Sequence, residues 1–337
     1  FGEIATILDA TNASQRLAYI ADACLQAALK FCGRNEGSMV TQSNRIDDVA
    51  IIGLGGLGAG ELHYASDLDI IATHADDADH AQVERVISST MKMLSDLTED
   101  GIAYKVDIRL RPGGVAGALA YSLSSWCDVL GNLEAWHGLA LPRARCAAGD
   151  KGLGEVFVRR TWDALVNEFQ SERCVGELLH LWKRIRDEHA PSPGVIDPKH
   201  TLGGLADIQF GATLLQLKHA NQHEELRMSN YIQAITTAVN LGLISQSSAK
   251  EILQAYVIAR RVKNAITLLK SPPITRVAIT DDVFPLLAMM ITGCHDADTA
   301  TQKFHDRWRK AMESSHAVIE SMCQKCLGGS SLCHFEK

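Results

Sequence analysis

The apolar positions change their period once along the chain. From about residue 46 to 150, short apolar runs of strand length mix with a helical stripe. Beyond that, apolar residues recur almost everywhere at three or four. Val49–Gly53, Asp67–Thr73 and Tyr104–Leu110 predict strands; Val83, Val86, Ile87, Met91 and Leu94 predict a helix over 81–97. Ahead of them, Leu8, Leu17, Ile20, Ala23, Cys24, Leu25 and Leu29 give residues 1–35 a helical stripe. Behind them, Val175, Leu178, Leu179, Trp182 and Ile185 mark one helix. Ile252, Tyr256, Ala259, Val262, Ile266 and Leu269 mark another, with Arg260, Arg261 and Lys263 largely off its stripe. Pro191, Pro193, Gly194 and Pro198 break the chain between helices, as does SPPITR at 271–276. The expected organisation is an N-terminal helical segment (1–45), a mixed α+β domain (46–160) and a helical bundle (161–337).

A chain of 337 residues is long enough for two domains, and its 46% hydrophobic and 22% charged content is ordinary for a globular protein. The net charge of −7 disfavours non-specific binding to nucleic acid. No apolar run has the length of a membrane span; the nearest, Val283–Ile291, fits a buried helix. The nine cysteines lie mostly within apolar patterns, which suits free thiols and predicts a cytoplasmic location. Cys323, Cys326, Cys333 and His334 crowd the tail, yet the adjacency of the last two makes joint zinc ligation awkward. The chain starts at Phe1, which suggests a piece of a longer protein.

The chemistry concentrates in VAIIGLGGLGAGELHYASDLDIIATH, Val49–His74. Gly53, Gly55 and Gly58 spell G-x-G-x-x-G after an apolar run, as at a dinucleotide site, with Asp76 available as the ribose-binding acid. But Leu57 to Tyr64 is short for the crossover helix of a βαβ unit. A second reading uses more of the residues. Asp67 and Asp69 are two apart, so a strand points both to one face while Leu68, Ile70 and Ala72 enter the core. Paired carboxylates are costly unless a cation sits between them. VDIRLRP supplies a third acid, with Asp107, Arg109 and Arg111 alternating against Val106, Ile108 and Leu110. If that strand lies beside the first pair, three carboxylates surround one metal site and the arginines face phosphate oxygens. A glycine turn, carboxylate-held Mg²⁺ and arginines are the equipment of phosphoryl and nucleotidyl transfer. The plain alternative is a pair of turn acids and a surface ion pair.

Gly-x-Gly-x-Leu-Gly-x-x-Glu-Leu, Ser66-Asp67-Leu68-Asp69 and Asp107-x-Arg109-Leu110-Arg111-Pro112 resemble the blocks of the glutamine synthetase adenylyltransferases. GGVAGALAYSLSSW, EAWHGLALPRAR, IDPKHTLGGLADIQF, LRMSNYIQAI and AYVIARRVKN continue that resemblance in order, over roughly residues 48–270. The resemblance implies a polymerase-β-type nucleotidyltransferase domain followed by a helical domain. It also implies AMP transfer from ATP to a tyrosine of glutamine synthetase, with PII-type signal proteins as regulators. The wording is most like the adenylylating, C-terminal half of these enzymes. The opposite activity, phosphorolytic removal of AMP, and a silent regulatory module that binds glutamine synthetase or a PII protein are the alternatives.

Carried over, the resemblance makes Asp67, Asp69 and Asp107 the catalytic, Mg²⁺-binding acids. Gly53, Gly55, Gly58, Ser66, Arg109 and Arg111 become the ATP-binding set, and Asp107 a candidate base for the tyrosine hydroxyl. Two positions depart from the family: Gly56 stands where lysine is usual and Gln209 where glutamate is usual. Lys105 or an arginine is the expected replacement for the lysine. Lys199 and His200 lie within reach of the same cleft, and Asp207 is expected in the first turn of a helix after Gly203-Gly204. Arg143 and Arg145 suit either phosphate or ordinary ion pairs, and the five tryptophans suit packing.

Overall fold

The computed structural model describes residues 10–35 and 47–326. Leu8, Cys333 and His334 lie outside them. In chain order the elements are α1 (Ala10–Asn35), β1 (Val49–Gly53), α2 (Gly55–Gly58), β2 (Leu68–His74), α3 (His80–Ser95), β3 (Val106–Asp107), β4 (Ala120–Ser122), α4 (Leu123–Leu130), α5 (Ala135–Ala140), β5 (Arg145–Gly149), α6 (Lys151–Glu168) and α7 (Glu172–His189). There follow β6 (Val195–Ile196), α8 (Leu205–His219), α9 (Tyr231–Asn240), α10 (Gln246–Leu269), β7 (Val277–Ala278), α11 (Phe284–Thr292) and α12 (Ala297–Cys326). Local signals set most helix starts. The side chains of Asp79, Ser122, Asp150, Ser171, Asn230 and Ser245 each accept a backbone N–H in the first turn of α3, α4, α6, α7, α9 and α10.

The sheet runs β3-β2-β1-β5, with β4 also on β2. β1 is antiparallel to both β2 and β5, whereas β3 and β4 lie parallel to β2, at its start and its end. The result is a mixed α+β sheet. Alternation sorts its residues into two cores. Val49, Ile51, Leu68, Ile70 and Ala72 pack with α1 and α3. Ala50, Ile52 and Ile71 face the other way, onto Trp126, Phe157 and Trp162, and this core runs on without a break into α7–α12. Asp69, on the odd-numbered face of β2 with Ile71, therefore points toward the helical side.

Two sequence expectations are corrected. The inner stripe of α1 consists of Ala13, Ala18, Ala21, Leu25, Ala28, Leu29 and Cys32, while Ile20 is 54% exposed. Small residues let the helix lie close on the sheet, and a search for large apolar residues overlooks them. The strand expected over 104–110 is extended only at Val106–Asp107. The chain then turns, with the Arg111 N–H donating to Ile108 O at 3.3 Å. In place of the alternation drawn from Val106 to Arg111, Arg111 is buried and its guanidinium binds the carbonyls of Ile108, Val115 and Gly117.

Phe157 joins the two parts of the larger core, edge-on to Trp126 at 5.2 Å between ring centres and fully buried. Phe157→Ala is expected to cost about 3–5 kcal/mol, read as a lower urea midpoint with an unchanged slope. A loss under about 1 kcal/mol would show that the sheet and the helical part are not held through this residue.

Candidate functional site

The turn after β1 is built for close approach. Gly55 has φ +50°, and a Cβ there would stand 2.1 Å from Asp69 Oδ2. A Cβ at Gly58 would stand 1.9 Å from Arg143 O. Gly53 closes β1 opposite Ile70, and a side chain there would meet Leu57 at 2.9 Å. The three glycines thus lay the short α2 turn against the Asp69 carboxylate and the backbone of the Arg143 segment. Leu54 N–H donates to Asp69 O at 2.8 Å, which ties the turn to β2. The dinucleotide reading fails on topology. β1 and β2 are antiparallel, whereas a βαβ nucleotide unit needs parallel strands. Asp76, its ribose acid, instead accepts Ser124 N–H at the start of α4.

The register of β2 and β3 pairs Asp69 directly with Asp107. Both carboxylates therefore leave the sheet on the same face, with the exposed Asp67 just before β2. Burial raises the pKa of Asp69, and Asp107 and Asp67 raise it further, against the pull of Lys199 and Arg109. Asp107 goes the other way. Arg109 forks it through Nε at 2.9 and 3.0 Å and Nη2 at 2.5 Å, and this hydrogen bonding holds its pKa low. Ser66 Oγ accepts His63 N–H at 2.9 Å and so fixes the turn leading into Asp67.

The donor set suits a hard divalent cation, because carboxylate oxygens converge beside a glycine turn. Among the described residues, however, no three Asp, Glu, His or Cys side chains already stand close enough together to enclose an ion. Asp107 must leave Arg109 to take part. Arg109 itself is 74% exposed, and Asp107 first, then Asp69 and Asp67, stabilise its charge. Arg111 is spent on carbonyls and is withdrawn as a phosphate contact. Arg143 and Arg145 are likewise occupied. Arg143 binds Ser229 O and Thr213 and lies over the Tyr231 ring. Arg145 pairs with Asp22 and Leu57 O.

The helical part grips the same turn. Asn230 Nδ2 donates to Ala59 O at 2.9 Å. Arg260 Nη2 donates to Glu61 O at 2.9 Å and Leu62 O at 3.1 Å, and also to Ser14. The buried Glu61 carboxylate sits among Tyr231, Tyr256, Arg260 and Arg143, and burial raises its pKa. Arg260 is only 3% exposed, which corrects its expected place off the α10 stripe. An arginine in a helical sequence reads as a solvated face. Only the fold reveals that backbone carbonyls wait for it inside. Lys199, exposed before α8, acts on the site through its charge, which lowers the pKa of Asp69. His200 turns instead to Asp197, at 3.1 Å. Asp207 sits in the first turn of α8 and accepts Gly203 N–H at 2.7 Å. Gln209 lies partly buried on α8.

Comparison with known proteins bears on this site. Residues 1–160 match the family model of glutamate-ammonia ligase adenylyltransferase. Residues 184–323 match that of PII-uridylyltransferase. A bifunctional glutamine synthetase adenylyltransferase/adenylyl-removing enzyme of Chromobacterium violaceum is 33% identical over 259 residues, 76% of this chain and 28% of its own length. Enzymes of the same name from Nitrosomonas europaea and Bordetella bronchiseptica are 30% and 36% identical over 274 and 225 residues. These alignments take in 80% and 65% of this chain, and 29% and 24% of those enzymes. The chain is a relative of the glutamine synthetase adenylyltransferases. It spans less than a third of the length of these relatives. No helix among the described residues is long and apolar enough to cross a membrane.

Asp69 supplies a pH test. Its pKa is raised from the ordinary 3.8, so its contribution to stability is full below that value and lost as pH rises through the raised one. Asp69→Asn is therefore expected to melt above the parent at pH 7, with the gap closing toward pH 4. Added Mg²⁺ should raise the melting temperature of the parent and leave the variant unmoved. A variant that melts lower at pH 7, or that responds equally to Mg²⁺, would contradict this account of the acid pair.

Proposed function

We propose that this chain is the adenylylating, C-terminal half of such an enzyme and transfers AMP from ATP to a tyrosine hydroxyl of glutamine synthetase. The observation that carries the reading is the register of Asp69 against Asp107 beside the glycine turn. The mixed sheet with its helical companion supports a polymerase-β-type nucleotidyltransferase domain over about 46–160, behind the N-terminal helix, and a helical bundle beyond. The match of 184–323 to the PII-uridylyltransferase model supports a PII-type protein as a regulatory partner.

In this reading Asp69 and Asp107 hold Mg²⁺, with Asp67 as the third acid. Mg²⁺ held by these acids would supply positive charge against the phosphates of the nucleotide. The glycine turn brings backbone against the phosphates with no side chain between. Arg109 releases Asp107 and moves its charge toward the nucleotide. The tyrosine oxygen attacks the α-phosphorus and pyrophosphate departs. Asp107, once released by Arg109, is the candidate base for the proton of the hydroxyl.

Incubation with α-labelled ATP, Mg²⁺ and glutamine synthetase tests the reading. Label is expected on the synthetase and is expected to fall by a factor of about 10³ or more in Asp67→Ala/Asp69→Ala, since metal sites supply several kcal/mol of transition-state stabilisation. The relatives' names also carry adenylyl removal. Release of AMP from adenylylated synthetase by phosphate, without forward transfer, would assign this chain to that activity instead. Neither reaction in a folded protein would leave the binding module.

A further inference from the structure

The carbonyls that leave the glycine turn are held by side chains from outside it. Arg145 donates through Nη2 to Leu57 O at 2.9 Å and through Nε to Gly58 O at 3.3 Å. Arg260 takes the carbonyls of Glu61 and Leu62. Between these, Ala59 O accepts Asn230 Nδ2 at 2.9 Å. Asn230 has a second bond. Its Oδ1 accepts Gln233 N–H at 2.9 Å and so caps α9. The two bonds fix which way round the amide lies, because only its nitrogen donates. One side chain thus joins the start of α9 to the turn.

A second link closes a bracket around the same place. A Cβ at Gly58 would stand 1.9 Å from Arg143 O, so the backbone of Arg143 lies against the turn. The buried Arg143 guanidinium reaches Ser229 O at 2.9 Å, just before Asn230, and lies 5.0 Å over the ring of Tyr231, just after it. Thr213 of α8 holds its other Nη. The path from Gly58 through Arg143, Ser229 and Asn230 returns to the turn at Ala59.

We propose that Asn230 is a positioning residue of nucleotidyl transfer, which sets, through Ala59, where the glycine turn stands against the phosphates. This rests on the nucleotidyl-transfer reading above. The turn has little stiffness of its own, since α2 is Gly55-Gly56-Leu57-Gly58. Its neighbours must place it. Ala59 N–H donates to Gly55 O at 3.1 Å, so a displacement at Ala59 passes to Gly55, which lies against Asp69. A misplacement of about 1 Å at a reacting centre is enough to cost about 10²-fold in rate. A cap alone does not account for the asparagine, because aspartate and serine cap a helix as well. The bond to Ala59 O requires the amide nitrogen.

The experiment compares the parent with Asn230→Ser, Asn230→Asp and Asn230→Ala. Serine and aspartate keep the cap and lose the amide donor; serine does so without adding charge, and alanine loses both. Three quantities are measured: the melting temperature, the calorimetric affinity for ATP with Mg²⁺ in the absence of acceptor, and the kinetics of label transfer to glutamine synthetase. Asn230→Ser and Asn230→Asp are expected to melt within about 3 °C of the parent, to bind ATP roughly tenfold more weakly, and to lose about 10²-fold in kcat, with the KM for glutamine synthetase unchanged. Parent-like kcat and ATP affinity in Asn230→Ser overturn the inference and leave the reaction standing. A rate loss confined to Asn230→Ala, or one that follows a fallen melting temperature in all three, makes Asn230 a cap alone and also overturns it. A folded parent that binds no ATP removes the nucleotidyl-transfer reading, and the inference with it.

Discussion

One juxtaposition governs the rest of the structure: two carboxylates side by side on neighbouring strands, with a glycine pressed against one of them. The parallel pairing of β2 with β3 fixes Asp69 opposite Asp107. The positive φ and missing side chain of Gly55 let the turn close over Asp69 Oδ2. Such a pair opposes folding, because burial and like charge both act on Asp69. The surrounding structure holds it in place by tying the turn down from several directions. Leu54 bonds to β2, Asn230 reaches Ala59, and Arg260 takes the two carbonyls that follow.

The helical part is therefore joined to the site, in addition to packing behind it. The core that begins at Ala50, Ile52 and Ile71 passes through Phe157 and Trp162 into the bundle without interruption. Polar links run over the same border. Arg143 leaves the segment before β5 for Ser229 O and the ring of Tyr231, and the Glu61 carboxylate sits between the arginines and the two tyrosines of the bundle. A change in the tilt of α9 or α10 would be felt at Ala59–Leu62, next to the acids. That is a physical route from the bundle to the turn.

Much of this was legible in the chain. Strands β1 and β2 follow from buried, β-branched runs, although Asp67 falls just before β2, where strand alternation does not set its face. The antiparallel pairing that excludes a dinucleotide fold was foreshadowed by the short link between the strands. What period alone missed has identifiable causes. More than half of the inner face of α1 is alanine, so its stripe is faint. The run after Asp107 alternates like a strand yet turns, because Arg111 finds three carbonyls to bind. Arg260 looks like part of a solvated face until the carbonyls of Glu61 and Leu62 are laid over it, about two hundred residues away in sequence, which no local pattern carries.

The central claim is that the Asp69–Asp107 pair is a metal and nucleotide site that Arg109 keeps partly closed. The most direct measurement is a crystal structure with Mn²⁺ and a non-hydrolysable ATP analogue, using the anomalous signal of the metal. The account predicts an anomalous peak between the carboxylates of Asp69 and Asp107, Arg109 swung away from Asp107, and phosphates against the Gly53–Gly58 turn. Metal and nucleotide bound elsewhere, with the Arg109–Asp107 fork intact, would contradict it.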